Sequence, residues 1–446
     1  MVTRICIVGG GTAGWLSAAV LSHDLSDVEI TVIDSPDIPT IGVGEGTFPS
    51  TMCLLRRIGL STNQIMRGAH AGIKLGIQYK GFTPEPFWLC TEPTLSWLRH
   101  GSEMTKNVAM NMRSPVLDDH SAFAMHFVAH DLAQMLRNLS ISRGVKQISA
   151  TIVDQAVVND QCLWLRTDAG TLITADWYID ASGFRSLLIG RTSAQFRSYA
   201  NDLLVDSAVV GPSAYTNPRD QFWPFTRISA HAAGWQFRIP TQTRIGNGLV
   251  YSSAHMDAAT AEQDLRTLAG VGDTRHIRMR LGYHDQLIAG NVCAVGLSGG
   301  FIEPLEATAI HIAEQTLGWL VGVIRDHVPV TVANQGLARK IAYIKTLIMS
   351  HYAWCDRPEP FWQAAKAAAW HSGELAAFFD GLANGEYPTD RDSLDDAYPW
   401  CQWNELLRGF GQRHYYPTIS NTAKTDIYMA MQSLPNHWDL MSQIGA

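Results

Sequence analysis

The chain has no CxxC pair among its seven cysteines, no basic tract and no internal repeat. Cysteines standing singly at Cys6, Cys53, Cys90, Cys162, Cys293, Cys355 and Cys401 exclude a disulfide scaffold. They fit buried thiols in a reducing compartment, so a cytoplasmic location is expected. There is no apolar run of about 18 residues, hence no candidate membrane span. The first glycine motif follows a strand that begins at Ile5, so no signal peptide is expected ahead of it. No Lys/Arg stripe alternates with aromatics, which argues against nucleic acid as a partner. No spacing of His, Cys, Asp and Glu suggests a metal centre, and none is expected.

What is present describes an ordinary globular protein: 446 residues, 46% hydrophobic, formal charge -7. That length suits two or three domains, or one large core with an appendage. The modest acidity says little about a small substrate, because local charge outweighs the sum. Fourteen tryptophans are more telling, several of them late in the chain at Trp362, Trp370, Trp400, Trp403 and Trp438. They suit either a large aromatic core or a pocket for a flat organic molecule.

The chain is organised around its N-terminus, where an apolar strand from Ile5 runs into Gly9-x-Gly11-x-x-Gly14 and then a helix. This is the context of a dinucleotide fingerprint. Gly9 permits the tight turn, Gly11 lets a pyrophosphate approach the backbone beside Thr12 and Ala13, and Gly14 lets helix and strand pack closely. A second strand, Val28 to Ile33, ends in Asp34, placed about 20 residues on, where a carboxylate can accept ribose hydroxyls.

Further along, Gly42-Val43-Gly44-Glu45-Gly46-Thr47 is a glycine-rich loop that permits close approach to something flat. Ile73 to Tyr79 alternates like one strand, with Lys74 on the face of Gly76 and Gln78, where a lysine usually meets solvent. Thr83 to Asp119 reads as a loop-bearing excursion, and His126 as a packed or surface histidine. Gln147–Val153, Gln161–Thr167 and Thr171–Ile179 read as an antiparallel set that returns the chain at Asp180-Ala181-Ser182-Gly183 to another strand-to-glycine turn. A second excursion, about 200–284, carries Trp235, Phe237 and Ile239 on one face of a strand ending at Pro240, with Gly246-Asn247-Gly248 read as a hairpin turn. Then Gly296 and Glu303-Pro304-Leu305-Glu306 lead into a helix from Ala307 to Ile324, a strand–turn–helix that can aim N–H groups at an anion. From Pro329 onward the pattern is helical.

The expected fold is therefore mixed α/β. A discontinuous nucleotide-binding domain spans 1–324, with inserted sheet segments at about 83–175 and 200–284, and a mainly helical C-terminal subdomain spans 325–446.

Taken in order, these motifs resemble the FAD-dependent tryptophan halogenase family over most of the chain. The resemblance is carried by Gly9-x-Gly11-x-x-Gly14-Trp15, Gly42 to Thr47, Ile179 to Arg185 and Glu303-Pro304-Leu305-Glu306-Ala307-Thr308, with a familiar segment at Gly411-Gln412 to Pro417. It implies a Rossmann-like fold of the GR2, flavin-monooxygenase type, with the C-terminal helices capping the substrate pocket. It implies FAD, reduced by a separate NAD(P)H-dependent flavin reductase, forming a hydroperoxide with oxygen. Chloride or bromide attacks that species, and hypohalous acid travels by a tunnel to Lys74, which presents the halogen to an indole, tryptophan-like or other electron-rich aromatic substrate. Glu306 is the companion carboxylate, suited to proton transfer.

On the same resemblance the FAD contacts are Gly9, Gly11, Thr12, Ala13, Gly14, Asp34, Gly42, Val43, Gly44, Glu45, Gly46, Thr47, Asp180, Gly183, Gly296, Pro304 and Leu305. Thr308 and Ala309 hold halide through backbone N–H groups, and Trp235, Phe237, Ile239 and Pro240 form the wall between flavin and substrate. A homodimer is compatible with the family. Three positions depart from its pattern: Phe237 replaces a tryptophan, Ala307 a serine and Ala309 a glycine. These changes keep two alternatives open, a flavin monooxygenase that does not halogenate and an FAD-binding protein that has lost the activity.

Overall fold

The computed structural model describes residues 2–38, 44–91, 101–114, 123–384, 400–411 and 434–445. The chain forms two compact units, each assembled from three separated stretches. The first comprises Met1–Gly42, Ala129–Tyr199 and Arg280–Tyr343, the second Val43–Val128, Ala200–Met279 and Ile344–Ala446.

In the first unit, a six-stranded sheet has the order Ile288–Ala289, Val292–Ala294, Trp177–Asp180, Thr3–Val8, Val28–Asp34, Lys146–Ser149. All neighbours are parallel except the first pair. Parallel strands buried on both faces need near-continuous apolar sequence, and Ile5 to Val8 supplies it. The helix Thr12–Asp24 is apolar nearly all round, with Gly14 to Leu21 buried, as befits a helix enclosed on several sides. The first and third of the runs expected to form one antiparallel set are each divided, and the set that pairs this way is Ile152–Val158, Gln161–Thr167 and the short Leu172–Ile173. Lys146–Ser149 and Trp177–Asp180 instead join the parallel sheet.

The second unit is built on a seven-stranded sheet: Arg275–Arg278, Ser207–Ser213, Ile245–Tyr251, Gly234–Pro240, Thr226–His231, Gly76–Lys80, Phe87–Cys90. A smaller sheet pairs Glu45–Gly46, Ala124–Phe127 and Gly72–Lys74. The stretch Ile73 to Tyr79 is therefore two strands in two sheets. The break falls at Leu75, whose N–H donates to the carbonyl of Pro224 at 2.7 Å instead of continuing either ladder. The Gly246-Asn247-Gly248 segment lies inside a strand, and the turn before it is closed by Thr241 and Arg244. Glycine serves there as clearance: a Cβ on Gly248 would sit 2.3 Å from the Phe237 ring.

The units cut the chain near 42, 128, 199, 279 and 343 and not at 324, because strands far apart in sequence complete each sheet. Helices Pro360–His371, Gly373–Ala383, Trp400–Gly409 and His437–Gly445 follow the long Val330–Ala353 helix. Among the described residues no helix is long and apolar enough to cross a membrane.

Candidate active site

The glycine turn of the first unit is shaped by contacts that tolerate no side chain. A Cβ on Gly9, which has φ +117°, would lie 2.3 Å from the Ala181 carbonyl, and one on Gly14 would lie 1.8 Å from the Gly9 carbonyl. Gly11, by contrast, faces open space, with nothing within 4 Å of the same position. It precedes Thr12, the first residue of a helix without a side-chain cap, so N–H groups of the first turn remain for an anion. Asp34 lies over Gly10, where a Cβ would meet its carboxylate at 2.0 to 2.3 Å. Burial raises its carboxyl above the usual range, opposed by Arg137 and the Gly10 backbone. A tight turn, an open glycine and a carboxylate beside it suit the pyrophosphate and ribose of a dinucleotide.

The same unit carries Asp180, fully buried at the end of the central strand. One carboxylate oxygen accepts from the Ser182 N–H and hydroxyl at 3.1 and 2.6 Å, the other from the N–H groups of Leu188 and Ile189 at 2.7 and 3.0 Å. Its acceptor capacity is spent on the turn containing Gly183 (φ +68°), so Asp180 shapes this turn. Gly296 (φ +71°) lies against Ala13: a Cβ there would approach the Ala13 methyl at 2.8 Å.

Next, Pro304 to Ala307 forms a turn closed by the Ala307 N–H on the Pro304 carbonyl, with Ala307 at φ +56°. Leu305, Glu306 and Thr308 are buried. Thr308 is the N-cap of the helix Ala309–Arg325, yet its hydroxyl caps nothing and has no hydrogen-bond partner. A long helix with an uncapped, buried N-terminus offers partial positive charge to an anion.

In the second unit Lys74 is 1% exposed, although simple alternation places it toward solvent. Its ammonium donates to the Thr47 carbonyl at 3.3 Å and lies 5.6 Å from the Phe48 ring centroid. The strand bearing it pairs with Ala124–Phe127, which brings His126 opposite Gly72. His126 is buried and hydrogen-bonds Thr226 at 2.8 Å through Nε2. Burial, then Lys74 and His437, hold its imidazole well below the usual range. His437, bonded to the Ser114 hydroxyl at 2.7 Å, is pushed down to about 3 by burial. Burial thus disfavours the charged form of both rings. His437 was not foreseeable: 363 positions separate it from Lys74, and no local pattern marks it.

Trp235, Phe237 and Ile239 share one face of Gly234–Pro240 as the alternation requires, and Trp235 Nε1 donates to the Tyr352 hydroxyl at 3.1 Å. Gly44 packs on this same strand, where a Cβ would lie 3.5 Å from the Ile239 side chain. Glu45 begins the short strand that pairs with Phe127, and burial pushes its carboxyl up to about 7. The structure thus joins Thr47 to Lys74 and Gly44 to the aromatic strand. Glu306, Thr308 and Ala309 belong to the first unit, Lys74 and the wall residues through Pro240 to the second. Gly42, Val43 and the segment from Gln412 to Pro417 lie outside the described residues. Among the described residues no three His, Cys, Asp or Glu side chains gather as metal ligands do.

The tryptophan halogenase family profile matches residues 4–89 and 93–423. The chain is 30% identical to the 7-chloro-L-tryptophan 6-halogenase KtzR of Kutzneria sp. (strain 744), across 88% of this chain and 86% of that protein. It is 30% identical to the tryptophan 7-halogenase RebH of Lentzea aerocolonigenes, across 82% and 79%. Among solved structures, a flavin-dependent halogenase from Xanthomonas campestris superposes with TM-score 0.88 at 25% identity, covering 100% of this chain and 98% of that one.

Proposed function

The chain belongs to the tryptophan halogenase family, and from that premise we propose that it places chlorine or bromine on an indole or a similarly electron-rich aromatic ring. It is a flavin-dependent oxidoreductase with a Rossmann-like FAD-binding region. The observation that carries the reading is Lys74, an ammonium buried in an apolar strand near His126, whose charged form burial and Lys74 disfavour. Burying such a charge is costly, and a site that tolerates it has a use for it.

The open position at Gly11, the carboxylate of Asp34 and the loop from Gly44 to Thr47 are the residues that would hold FAD. When bound in its reduced form, FAD supplies the two electrons with which dioxygen oxidises halide. The uncapped helix start at Thr308 and Ala309 is the halide site, where backbone N–H groups and the helix dipole favour an anion.

Lys74 donates a hydrogen bond to the oxygen of hypohalous acid. The oxygen–halogen bond then breaks as the carbon–halogen bond forms, and the oxygen departs as hydroxide. Glu306 accepts the proton lost from the substituted ring carbon, which restores aromaticity, and returns it to the hydroxide as water. Trp235 and Phe237 form a bulky apolar wall that keeps substrate away from the flavin. Reducing equivalents come from a separate NAD(P)H-dependent flavin reductase.

The test is incubation of the protein with FAD, a flavin reductase, NADH, oxygen and either chloride or bromide, followed by mass-spectrometric screening of indoles and phenols. A halide-dependent mass increase with the isotope pattern of chlorine or bromine is expected. Oxygen addition without halide would replace this reading by a monooxygenase.

A further inference from the structure

One face of the seven-stranded sheet concentrates cations without counter-charge. Arg227 and Arg238 are directly opposed in register, with Gln78 beside Arg227 and Asn247 beside Arg238, so four adjacent strands contribute one polar row. One row on, Lys80 pairs with Ser229 and Ser229 with Gln236, on the same face. Like charges placed opposite one another in a sheet repel. Here each is also half-buried: burial and then Arg238 lower the Arg227 pKa, and burial lowers that of Arg238. Among the described residues the Arg227 guanidinium hydrogen-bonds only the neutral Gln78, at 3.2 Å. Among the described residues no carboxylate lies within ion-pairing distance of Arg227, Arg238 or Lys80.

Both guanidinia are held by one indole, Arg227 at 4.3 Å and Arg238 at 5.5 Å from the Trp223 ring centroid, with Phe225 at 5.7 Å from Arg227. A guanidinium lying over a ring face still has N–H groups to donate at its edge. Three buried donors on this face lack acceptors: Trp223 Nε1, Gln236 Nε2 and Arg238 Nε. Trp223 is 3% exposed and Gln236 7%. The neighbouring acceptor without a partner is Asn247 Oδ1, whose amide nitrogen is spent on Gly211, Ser213 and Ile245. An unmet buried donor adds its own desolvation cost to that of the unpaired charges, and one ligand relieves both.

We infer that this face is a binding site for a phosphate group, whose two negative charges and several acceptor oxygens answer Arg227, Arg238 and Lys80 together with the N–H groups of Trp223 and Gln236. A halide, with one charge and no directional lone-pair fork, satisfies neither the charge nor the planar guanidinium geometry. The inference does not depend on the halogenation chemistry.

The experiment is calorimetric titration of the FAD-loaded protein with inorganic phosphate and with phenyl phosphate, at constant ionic strength balanced by chloride. FAD loading keeps the glycine turn occupied. One saturable site is expected, weakened at least about tenfold by Arg227→Gln or Arg238→Gln, with FAD content unchanged and with no effect of Arg325→Gln, a control on the other unit. Tighter binding of phenyl phosphate identifies a phosphate ester as the ligand, and equal binding identifies the free anion. Absence of saturable heat above the chloride blank, or binding indifferent to both substitutions, overturns the proposal. A thermal scan without phosphate separates the remaining explanation. Removing one of two repelling charges should leave the melting temperature equal or higher. A fall, together with unaltered phosphate binding, would make the arginines stacking residues and nothing more.

Discussion

At the scale of single residues, Lys74 separates chemistry from cofactor binding. Lys74→Met, which keeps the volume, should abolish product formation while FAD retention is unchanged. Unaltered product yield would remove Lys74 from the chemistry. Glu306→Gln should lower turnover by roughly 10²- to 10⁴-fold with flavin affinity preserved, the range for a lost general base, measured in single-turnover assays. Glu45 has a pH signature. With its folded pKa raised to about 7, the native state binds more protons than the unfolded chain between its ordinary value of 4.5 and that point. This stabilising contribution is fully present below 4.5 and lost as pH rises through about 7. Glu45→Gln should therefore raise the melting temperature at pH 8 more than at pH 4.5, and an equal change at both would reject the shift. Neither Lys74 nor Glu45 shows its burial in the sequence, because burial is conferred by strands elsewhere in the chain.

At the scale of elements, periodicity located the strands but not their ends or partners. Ile73 to Tyr79 has unbroken alternation, yet the Leu75 N–H bonds the Pro224 carbonyl, a contact across about 150 residues that no local pattern encodes. Gly246-Asn247-Gly248 has the composition of a turn but the position of a strand, because the neighbouring strand puts the Phe237 ring where a Cβ would stand. Gly248→Ala should cost about 1–3 kcal/mol in denaturant unfolding through overpacking, and Phe237→Leu in the same chain should recover part of it. No recovery would place the clash at Val210, whose side chain lies 3.1 Å from the same position. Helix ends, by contrast, are set locally: Asp257 accepts from the Thr260 N–H at 2.9 Å, and Gly270 closes the same helix in the left-handed region.

At the scale of the whole molecule, the C-terminal helices are not an independent domain. Cys90 N–H donates to Glu405 at 2.7 Å, Gln402 donates back to the Cys90 carbonyl at 3.0 Å, and Trp362 Nε1 donates to the His231 carbonyl at 2.8 Å. A fragment of 344–446 expressed alone should lack cooperative thermal unfolding, because its apolar faces are matched by strands it does not contain, and a sharp calorimetric transition would contradict this. The sequence by itself determined the glycine turn after the first strand, Asp34 at the end of the second, the shared face of Trp235, Phe237 and Ile239, and the family, since each rests on short-range spacing or on ordered motifs. Only the tertiary fold buries Lys74 against the Thr47 carbonyl and near His126, consumes Asp180 in its own turn, and sets Arg227 opposite Arg238 on adjacent strands. Those are long-range pairings, and the free energy that selects them belongs to the assembled sheets.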